Sequence, residues 1–337
     1  MAQFENLKVS VIVPARNEEK TIGNLLSSIF SQKIRPHEVI IVNDQSNDRT
    51  AEIASAYDVK IINLEHLPQG WLGKTWACHN GASNASGDTL LFLDADTSFE
   101  DGGLEKLLAC YCSHNGVLSI QPYHRIKNFY ENFAVYFNII MMCAMNVFTP
   151  LGFRLKPIGA FGPCMVCSRQ SYFSIDGHRS TKKKILEDIE IGKKFLRNGT
   201  YVYCFGGKGT ISFRMYPYGL GSVVNGFAKG FTIGASSTSI LNLILVIFWI
   251  AGSFYPITLL IKSAFTFDLF SLVTGLVFYF AYAAQLLWMA RRIGNFNPFF
   301  ALIWPFFLVF FIIIFFWSII QLVFKINIKW KGRTVNK

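Results

Sequence analysis

Three long apolar runs without a charged residue fill most of the last hundred positions, and they constrain the fold more than any other feature. They cover residues 240–261, 269–290 and 299–324, which are 22, 22 and 26 residues long. An α-helix needs about 20 apolar residues to cross the hydrocarbon core of a bilayer. A buried core helix is the alternative for any one run, but three in succession favour membrane spans. We therefore predict a membrane domain over 236–337 that ends in a basic tail.

The distribution of charge agrees with a membrane partner. Residues 1–151 carry a net charge of −5, residues 152–235 carry +9 and residues 236–337 carry +7. Basic clusters such as residues 182–184 are typical of attraction to anionic lipid headgroups when they lie close to membrane segments. Because the first part of the chain is acidic, the basic total does not indicate a nucleic-acid partner.

Strand and helix patterns alternate in the first part of the chain. Strand patterns at residues 9–13, 38–42 and 60–62 are separated by helical patterns at about 21–30 and 50–57. Such a β-α-β-α-β order is typical of an α/β fold with a parallel sheet. We assign residues 1–235 to this catalytic domain.

A fourth strand pattern, at residues 90–93, ends in Asp94 and Asp96. Ligands in open α/β sheets bind at the carboxyl ends of the strands, and carboxylates there suit a divalent cation that holds phosphates. The alternative is an aspartate-rich turn. Arg16 and Asp44 follow the first two strands, so the same crevice would receive them. This convergence predicts a metal–diphosphate site.

Nucleotide-binding loops of the common types are missing from the sequence. The first strand is not followed by G-x-G-x-x-G. Residues 70–75 end in Gly-Lys-Thr, but Pro68 occupies the position of the first glycine of a P-loop. Lys74 remains a candidate for contact with a diphosphate, and an ordinary surface loop is the alternative.

Several short motifs resemble a known family. Residues 13–19, 42–48 and 94–96, with Glu187-Asp188, resemble family 2 glycosyltransferases of the GT-A fold. Residues 70–78, 119–124, 145–148 and 330–333 are similar to carotenoid- and hopanoid-associated membrane glycosyltransferases. The resemblance covers most of the chain. It implies a mixed, mostly parallel GT-A sheet with a nucleotide-binding half, and an inverting, metal-dependent transfer of a sugar, most simply glucose, from a UDP-sugar to a membrane lipid such as a carotenoid acid.

The resemblance also implies roles for individual residues. On the donor side it places Pro14 and Glu18 beside the base and ribose, Asp44 on the uracil imide, Asp94 on the ribose and sugar, and Lys74 at the diphosphate. Arg16 is a further donor-binding candidate because it follows the first strand. Asp96 would bind Mg²⁺ or Mn²⁺, and His178 is a further candidate ligand. Asp188 would be the general base. A carboxylic acid acceptor is already ionised and needs no base, so Asp188 or Glu187 would then position it. The alternative is that this acidic pair only stabilises a helix N-terminus.

The membrane topology is less determined. Residues 132–153 also lack charge, but if they crossed the membrane Asp96 and Asp188 would lie on opposite sides. We predict an interfacial or re-entrant segment, with a buried core helix as the alternative. A cytoplasmic catalytic domain on a multi-pass protein of the cell membrane agrees with Arg291 and Arg292. Three full passes would place the basic tail outside, against the positive-inside rule, unless one run is re-entrant.

Other functions stay open at this point. The acceptor could instead be a hopanoid, a polyprenyl phosphate or a glycerolipid. A nucleotidyltransferase would carry a Gly/Arg/Lys-rich signature early in the chain, which is missing. A non-catalytic scaffold or transporter is the other class, but the three apolar runs hold no charge that would mark a substrate path.

Overall fold

Strands and helices alternate in the first part of the chain, and long helices fill the last part. The computed structural model describes residues 6–147, 154–236, 238–324, 328–330 and 333–335. The strands are β1 (Val9–Ala15), β2 (Glu38–Asn43), β3 (Lys60–Asn63), β4 (Thr89–Leu93), β5 (Thr97–Phe99), β6 (Val117–Gln121), β7 (Tyr123–His124), β8 (Cys164–Ser168), β9 (Val202–Gly206), β10 (Ile211–Phe213), β11 (Ile328–Trp330) and β12 (Arg333–Val335). The helices are α1 (Ile22–Phe30), α2 (Thr50–Ser55), α3 (Gly73–Ser83), α4 (Gly103–Cys112), α5 (Val135–Ala144), α6 (Arg169–Ser174), α7 (Glu187–Arg197), α8 (Leu220–Ser236), α9 (Ile240–Thr266), α10 (Leu269–Ile293) and α11 (Trp304–Val323).

A mixed, mostly parallel sheet forms the centre of the first unit. In the described part of the chain it has seven strands in the order β3-β2-β1-β4-β8-β6-β9. Only β8 runs antiparallel to its neighbours, β4 and β6. A smaller sheet has the order β5-β10-β7. The predicted α/β fold class is confirmed.

Burial on both faces explains the apolar sequences of the central strands. All five residues of β4 are buried, as expected of a strand in a sheet covered on both sides. The helix α1 covers one face with Ile22, Leu25, Leu26 and Ile29, which follow the spacing of a single helical face. The core therefore holds the carboxyl ends of β1, β2 and β4 in fixed register. The polar residues that follow these strands consequently lie side by side in the same order as the strands.

The chain divides into two compact units, and their boundary differs from the predicted one at residue 235. The first unit contains residues 6–124 and 154–215, together with β11 and β12. The second contains residues 125–147, 216–236 and 238–324. Aromatic packing explains why the earlier segments join the long helices. Phe137 of α5 stacks on Phe227 of α8 at 4.0 Å between ring centroids and also contacts Phe311 of α11.

In the second unit, α5 and the 3₁₀ turn before it correspond to most of the predicted segment 132–153, of which residues 148–153 lie outside the described chain. The helix α5 has ten residues, which makes it about 15 Å long, half the thickness of a bilayer core. Polar contacts hold the segment. Asn132 Oδ1 accepts from Asn297 N at 2.8 Å, and Asn295 Oδ1 accepts from Ile126 N at 2.5 Å. An interfacial or re-entrant position remains a prediction.

Three helices in the described residues are long and apolar enough to cross a membrane: α9, α10 and α11. In their most apolar stretches, 11%, 22% and 28% of the residues are buried. Large apolar side chains are exposed along them, including Phe248 at 70%. The third predicted run does not begin as one helix at residue 299, because a 3₁₀ turn covers Pro298–Ala301 and α11 begins at Trp304.

A two-residue turn joins α9 to α10. Phe267 adopts a left-handed conformation with φ of 51°. The next residue, Asp268, caps α10: its carboxylate accepts from Phe270 N at 3.0 Å and from Ser271 Oγ at 2.6 Å. Lys262 Nζ lies 3.6 Å from the same carboxylate. The tip of this helical hairpin is therefore both hydrogen-bonded and paired in charge.

Candidate active site

Polar residues that follow β1 and β2 are hydrogen-bonded to one another. Arg16 Nη1 donates to the carbonyl oxygens of Asp44 and Gln45, at 2.6 and 3.3 Å. Asn17 and Gln45 both have positive φ angles, of 53° and 56°, a conformation uncommon outside glycine and often found where function requires it. The Asp44 side chain lies at this junction and is only 3% exposed. The two strand ends thus form one preorganised edge.

The remaining donor-side candidates lie along the same edge. Pro14 is partly buried near the end of β1, opposite Val42 of β2. Glu18 is held from both ends: its backbone N donates to Thr50 Oγ1 at 2.7 Å, and its carboxylate accepts from Thr21 Oγ1 at 2.9 Å. These contacts hold the segment at residues 14–18 in place beside the ends of β1 and β2.

Asp94 and Asp96 occupy a tight turn between β4 and β5. The backbone N and the hydroxyl of Thr97 both donate to the Asp94 carbonyl oxygen, at 3.1 and 2.8 Å. Asp94 N donates to Pro163 O at 3.0 Å. Both aspartates are partly exposed, and Ala95 between them is buried. Residues 94 and 96 of an extended segment point to the same face, so this turn at the end of β4 can present both carboxylates on one side.

Lys74 on α3 contacts acidic groups from two separate segments, the turn after β4 and the start of α7. Its ammonium lies 2.9 Å from Asp94 Oδ1, 3.4 Å from Glu187 Oε1 and 3.7 Å from Asp188 Oδ2. The side chains of Lys74, Asp94 and Asp188 are 24%, 27% and 26% exposed, whereas that of Glu187 is 8% exposed. The cluster is therefore a partly open cleft in which Glu187 is the innermost carboxyl group.

Two glycines set the position of α7, which carries the acidic pair. A Cβ at Gly192 would overlap the backbone of Gly159 and Ala160. Only glycine at this position therefore lets α7 pack so closely against the segment at residues 159–160. A Cβ at Gly162 would overlap the carboxylate of Asp188. Asp188 therefore occupies the space that a side chain at residue 162 would take.

Burial and mutual repulsion determine the protonation of this cluster. Burial, followed by the negative charge of Asp188, raises the pKa of Glu187 to about 8. Burial also raises the pKa of Asp188, and Lys74 opposes that change. Burial alone would lower the pKa of Lys74, but the charges of Asp188, Asp94 and Glu187 outweigh it and raise the pKa. Glu187 is therefore harder to ionise than Asp188.

Two histidines prove to be core residues. His178 is 2% exposed, its Nδ1 is 2.9 Å from the Tyr172 hydroxyl, and its ring packs on Phe92. Burial lowers its pKa to about 3. His124 is 1% exposed and packs on Phe213. The structure therefore gives no support to His178 as a metal ligand. In the described chain no group of three or more His, Cys, Asp or Glu side chains could hold a metal ion alone.

The loop before α3 is fixed to the segment before α7. Leu72 N donates to Lys182 O at 2.9 Å, and Thr75 Oγ1 contacts the same oxygen at 3.2 Å. The side chains of lysines 182–184 are exposed. This connection, together with the glycine opposite Asp188, was not foreseen from the sequence. One signal was present: a lysine in the first turn of a helix opposes the helix dipole, so it requires acidic partners.

Comparison with known proteins agrees with this geometry. Residues 10–187 match Glycosyl transferase family 2. The 4,4'-diaponeurosporenoate glycosyltransferase of Staphylococcus aureus strain USA300 is 33% identical over 334 residues, 98% of this chain and 88% of that protein. The protein of the same name from strain MRSA252 is 34% identical over the same shares.

A solved structure shows the same fold. The mannosyltransferase PcManGT from Pyrobaculum calidifontis, in complex with GDP-Man and Mn²⁺, superposes with a TM-score of 0.54 and 17% identity, over 94% of this chain and 87% of that one. The resemblance noted in the short motifs is thereby confirmed. By sequence and by fold, the chain belongs to glycosyl transferase family 2 and is a glycosyltransferase.

Proposed function

We propose that this protein transfers a sugar, most simply glucose, from a UDP-sugar to a membrane lipid, with inversion at the anomeric carbon. The observation that carries the proposal is the cluster around Lys74. It places Asp94, which follows β4, and Asp188, which opens α7, against the same ammonium group. A donor-side and an acceptor-side carboxylate are thus brought together at the carboxyl end of the sheet, where such folds bind ligands.

The donor would lie along the edge of the sheet formed by the carboxyl ends of β1 and β2. Asp44 is nearly buried, and its carboxylate is a suitable acceptor for the imide N–H of uracil. Arg16 fixes the backbone of Asp44, and Pro14 and Glu18 border the base and the ribose. Asp94 would contact the ribose and sugar, and Lys74 adds positive charge close to the diphosphate.

The residues present fit a divalent cation. The Asp96 carboxylate is partly exposed at the end of β4, and hard cations prefer such oxygen ligands. Mg²⁺ usually takes one or two carboxylates and completes its shell with substrate phosphates and water, so a lone aspartate is sufficient. Mg²⁺ or Mn²⁺ bound there would neutralise the charge that develops on the departing diphosphate.

The chemistry at the acceptor is a single displacement. The acceptor oxygen forms a bond to the anomeric carbon while the bond to the UDP oxygen breaks. For a hydroxyl acceptor, Asp188 takes the proton, which agrees with the raised pKa of its neighbour Glu187. An acid acceptor has already lost its proton, and Asp188 or Glu187 then positions it.

The relatives favour a carotenoid acid as the acceptor. The two Staphylococcus proteins are named for 4,4'-diaponeurosporenoate and are similar to this chain over nearly its whole length. The exposed apolar helices would give such a lipid access from the bilayer. A hopanoid, a polyprenyl phosphate or a glycerolipid is the alternative within the same chemistry.

The proposed localisation is the cell membrane, with the catalytic unit in the cytoplasm beside anionic lipids. The tail after the long helices is basic, with Lys325, Lys329, Lys331, Arg333 and Lys337, and the positive-inside rule favours a cytoplasmic position for it. A cytoplasmic tail requires an even number of crossings. We therefore propose that α9 and α10 cross and that α11 does not. This arrangement also keeps Arg291 and Arg292 on the cytoplasmic side.

The test is a transfer assay on membranes that contain the protein. The membranes are incubated with Mn²⁺, a carotenoid acid and either UDP-glucose or GDP-mannose, and the lipid products are identified by mass. We expect a hexose-bearing carotenoid with UDP-glucose only. A panel of host lipids then tests the alternative acceptors. If no lipid is glycosylated from any nucleotide sugar, the proposed reaction is wrong.

A further inference from the structure

We propose that Lys74 is a positioning residue of the transfer reaction, which holds the Asp188 carboxylate in place and preserves its negative charge. The inference rests on the proposed function, in which Asp188 acts on the acceptor. It extends the role of Lys74 from the donor diphosphate to the acceptor side of the site.

The first support is geometric. A single ammonium group on α3 lies between carboxylates of two other chain segments, within 2.9 Å of Asp94 and 3.7 Å of Asp188. These residues are 20 and 114 positions from Lys74 in the sequence, so no local rule brings them together. Gly162 leaves room for Asp188 on the opposite side. Asp188 is therefore confined between Gly162 and Lys74.

The second support is the unfavourable electrostatic energy of a lysine at the N-terminus of α3. Lys74 is in the first turn of α3, where the positive end of the helix dipole repels a cation. The turn is nonetheless anchored: Thr75 is fully buried, and its hydroxyl contacts Lys182 O. Because that anchor joins the start of α3 to the segment before α7, it also holds Lys74 opposite the acidic pair.

The third support is the charge of the surrounding groups. Glu187 on α7, Asp94 after β4, and Lys74 and Cys78 on α3 face or influence Asp188, and His178 lies close to Lys74. Burial raises the pKa of Cys78 and lowers that of His178, so both are neutral at pH 7. Burial also raises the pKa of Asp188, and Lys74 counteracts it. Without Lys74, Asp188 would remain protonated to a higher pH.

The test uses the full-length protein and its hydrolysis of UDP-glucose, in which water replaces the acceptor and requires the same base. The variants are Lys74→Met and Lys74→Arg. The matched control is Lys193→Met, which removes an ion pair with Glu190 on the same helix α7. The measured quantity is the pH at the midpoint of the acid limb of kcat/KM for UDP-glucose.

We expect Lys74→Met to move the acid limb upward by about one pH unit or more, since a cation at this distance commonly lowers an aspartate pKa by about 1–3 units. Lys74→Arg and Lys193→Met should leave the limb within about 0.3 unit of wild type, well below that effect. A role confined to the diphosphate would raise KM for UDP-glucose without moving the limb, and a structural role would lower activity equally at every pH. Either result would overturn the inference.

A second variant is needed in case Lys74→Met does not fold. If Lys74→Met does not fold, the double variant Lys74→Met/Glu187→Gln removes a carboxyl group together with the cation, and the same upward movement is expected. If the wild type is active but the acid limb does not move in the variant, the inferred role of Lys74 is refuted and the proposed function is not. A wild type that neither transfers nor hydrolyses any nucleotide sugar refutes the proposed function as well.

Discussion

The sharpest prediction concerns Asp188→Asn, because its effect depends on the chemical class of the acceptor. The substitution keeps the size of the side chain and removes its charge. With a hydroxyl acceptor, the reaction then lacks the group that takes the proton. With a carboxylic acid acceptor, which is already ionised, only positioning is lost. The same variant therefore separates two proposed acceptor types.

The expected size follows from the arrangement of the cluster. General base catalysis contributes about 10²–10⁴-fold, or about 2.7–5.4 kcal/mol of barrier at 1.36 kcal/mol per tenfold. Part of this loss is recovered, because the pKa of Glu187 is raised first by burial and further by the charge of Asp188. Once that charge is gone, the pKa of Glu187 falls and its carboxylate is available nearby. We therefore expect a loss of about 10²–10³-fold for an alcohol and less than about tenfold for the acid.

The assay compares a carotenoid acid with the alcohol of the same skeleton, at saturating UDP-glucose, in wild type and variant. Glu190→Gln is the matched control, since Glu190 lies on the same helix and pairs with Lys193 at 2.9 Å instead of Lys74. The control should retain wild-type rates with both acceptors. An equally large loss on acid and alcohol would show that Asp188 binds the donor or maintains structure, and would refute its assignment as base.

Three further predictions concern the metal, the donor and the membrane. Asp96→Asn should reduce transfer at least about 100-fold with membrane association and thermal unfolding unchanged, and near-normal turnover at saturating Mn²⁺ would contradict the metal role. Asp44→Ala should raise the KM for UDP-glucose about tenfold or more, since a buried hydrogen bond contributes about 1–3 kcal/mol, and it should weaken the preference for UDP over ADP as a competitor. Unchanged competition would mean that Asp44 only shapes its turn. A C-terminal tag should be protected from protease in intact cells, and cleavage from outside would refute the even number of crossings.

The sequence was most informative where local pattern and burial coincide. The apolar run at residues 90–93 predicted a central strand, and its buried position in β4 determines where Asp94 and Asp96 lie. The same holds for the polar residues after β1 and β2. These positions follow from strand order alone, because parallel strands deliver their carboxyl ends to one edge of the sheet.

Contacts between distant segments could not be predicted in this way. The sequence placed Lys74 beside a diphosphate, but its three carboxylate contacts depend on how α3 and α7 approach each other. The difference between Glu187 and Asp188 depends on burial, which adjacent sequence positions do not reveal. The grouping of α5 and α8 with the long helices could not be predicted for a related reason. Phe137 of α5 packs on α8 and on α11, and apolar composition alone does not show which neighbour a helix packs against.

The turn between α9 and α10 has a consequence for how the protein is made. If these helices insert as a pair, their tip must pass through the apolar core before it reaches the far side. Lys262 and Asp268 lie 3.6 Å apart there, so the pair carries no net charge, and the hydrogen bonds to Phe270 N and Ser271 Oγ travel with it. A lone ionised side chain at the centre of a bilayer costs about 2.5–3.5 kcal/mol during insertion. Replacement of Lys262 by an uncharged residue would leave Asp268 to be translocated alone, and biogenesis would become the step that limits the amount of active enzyme.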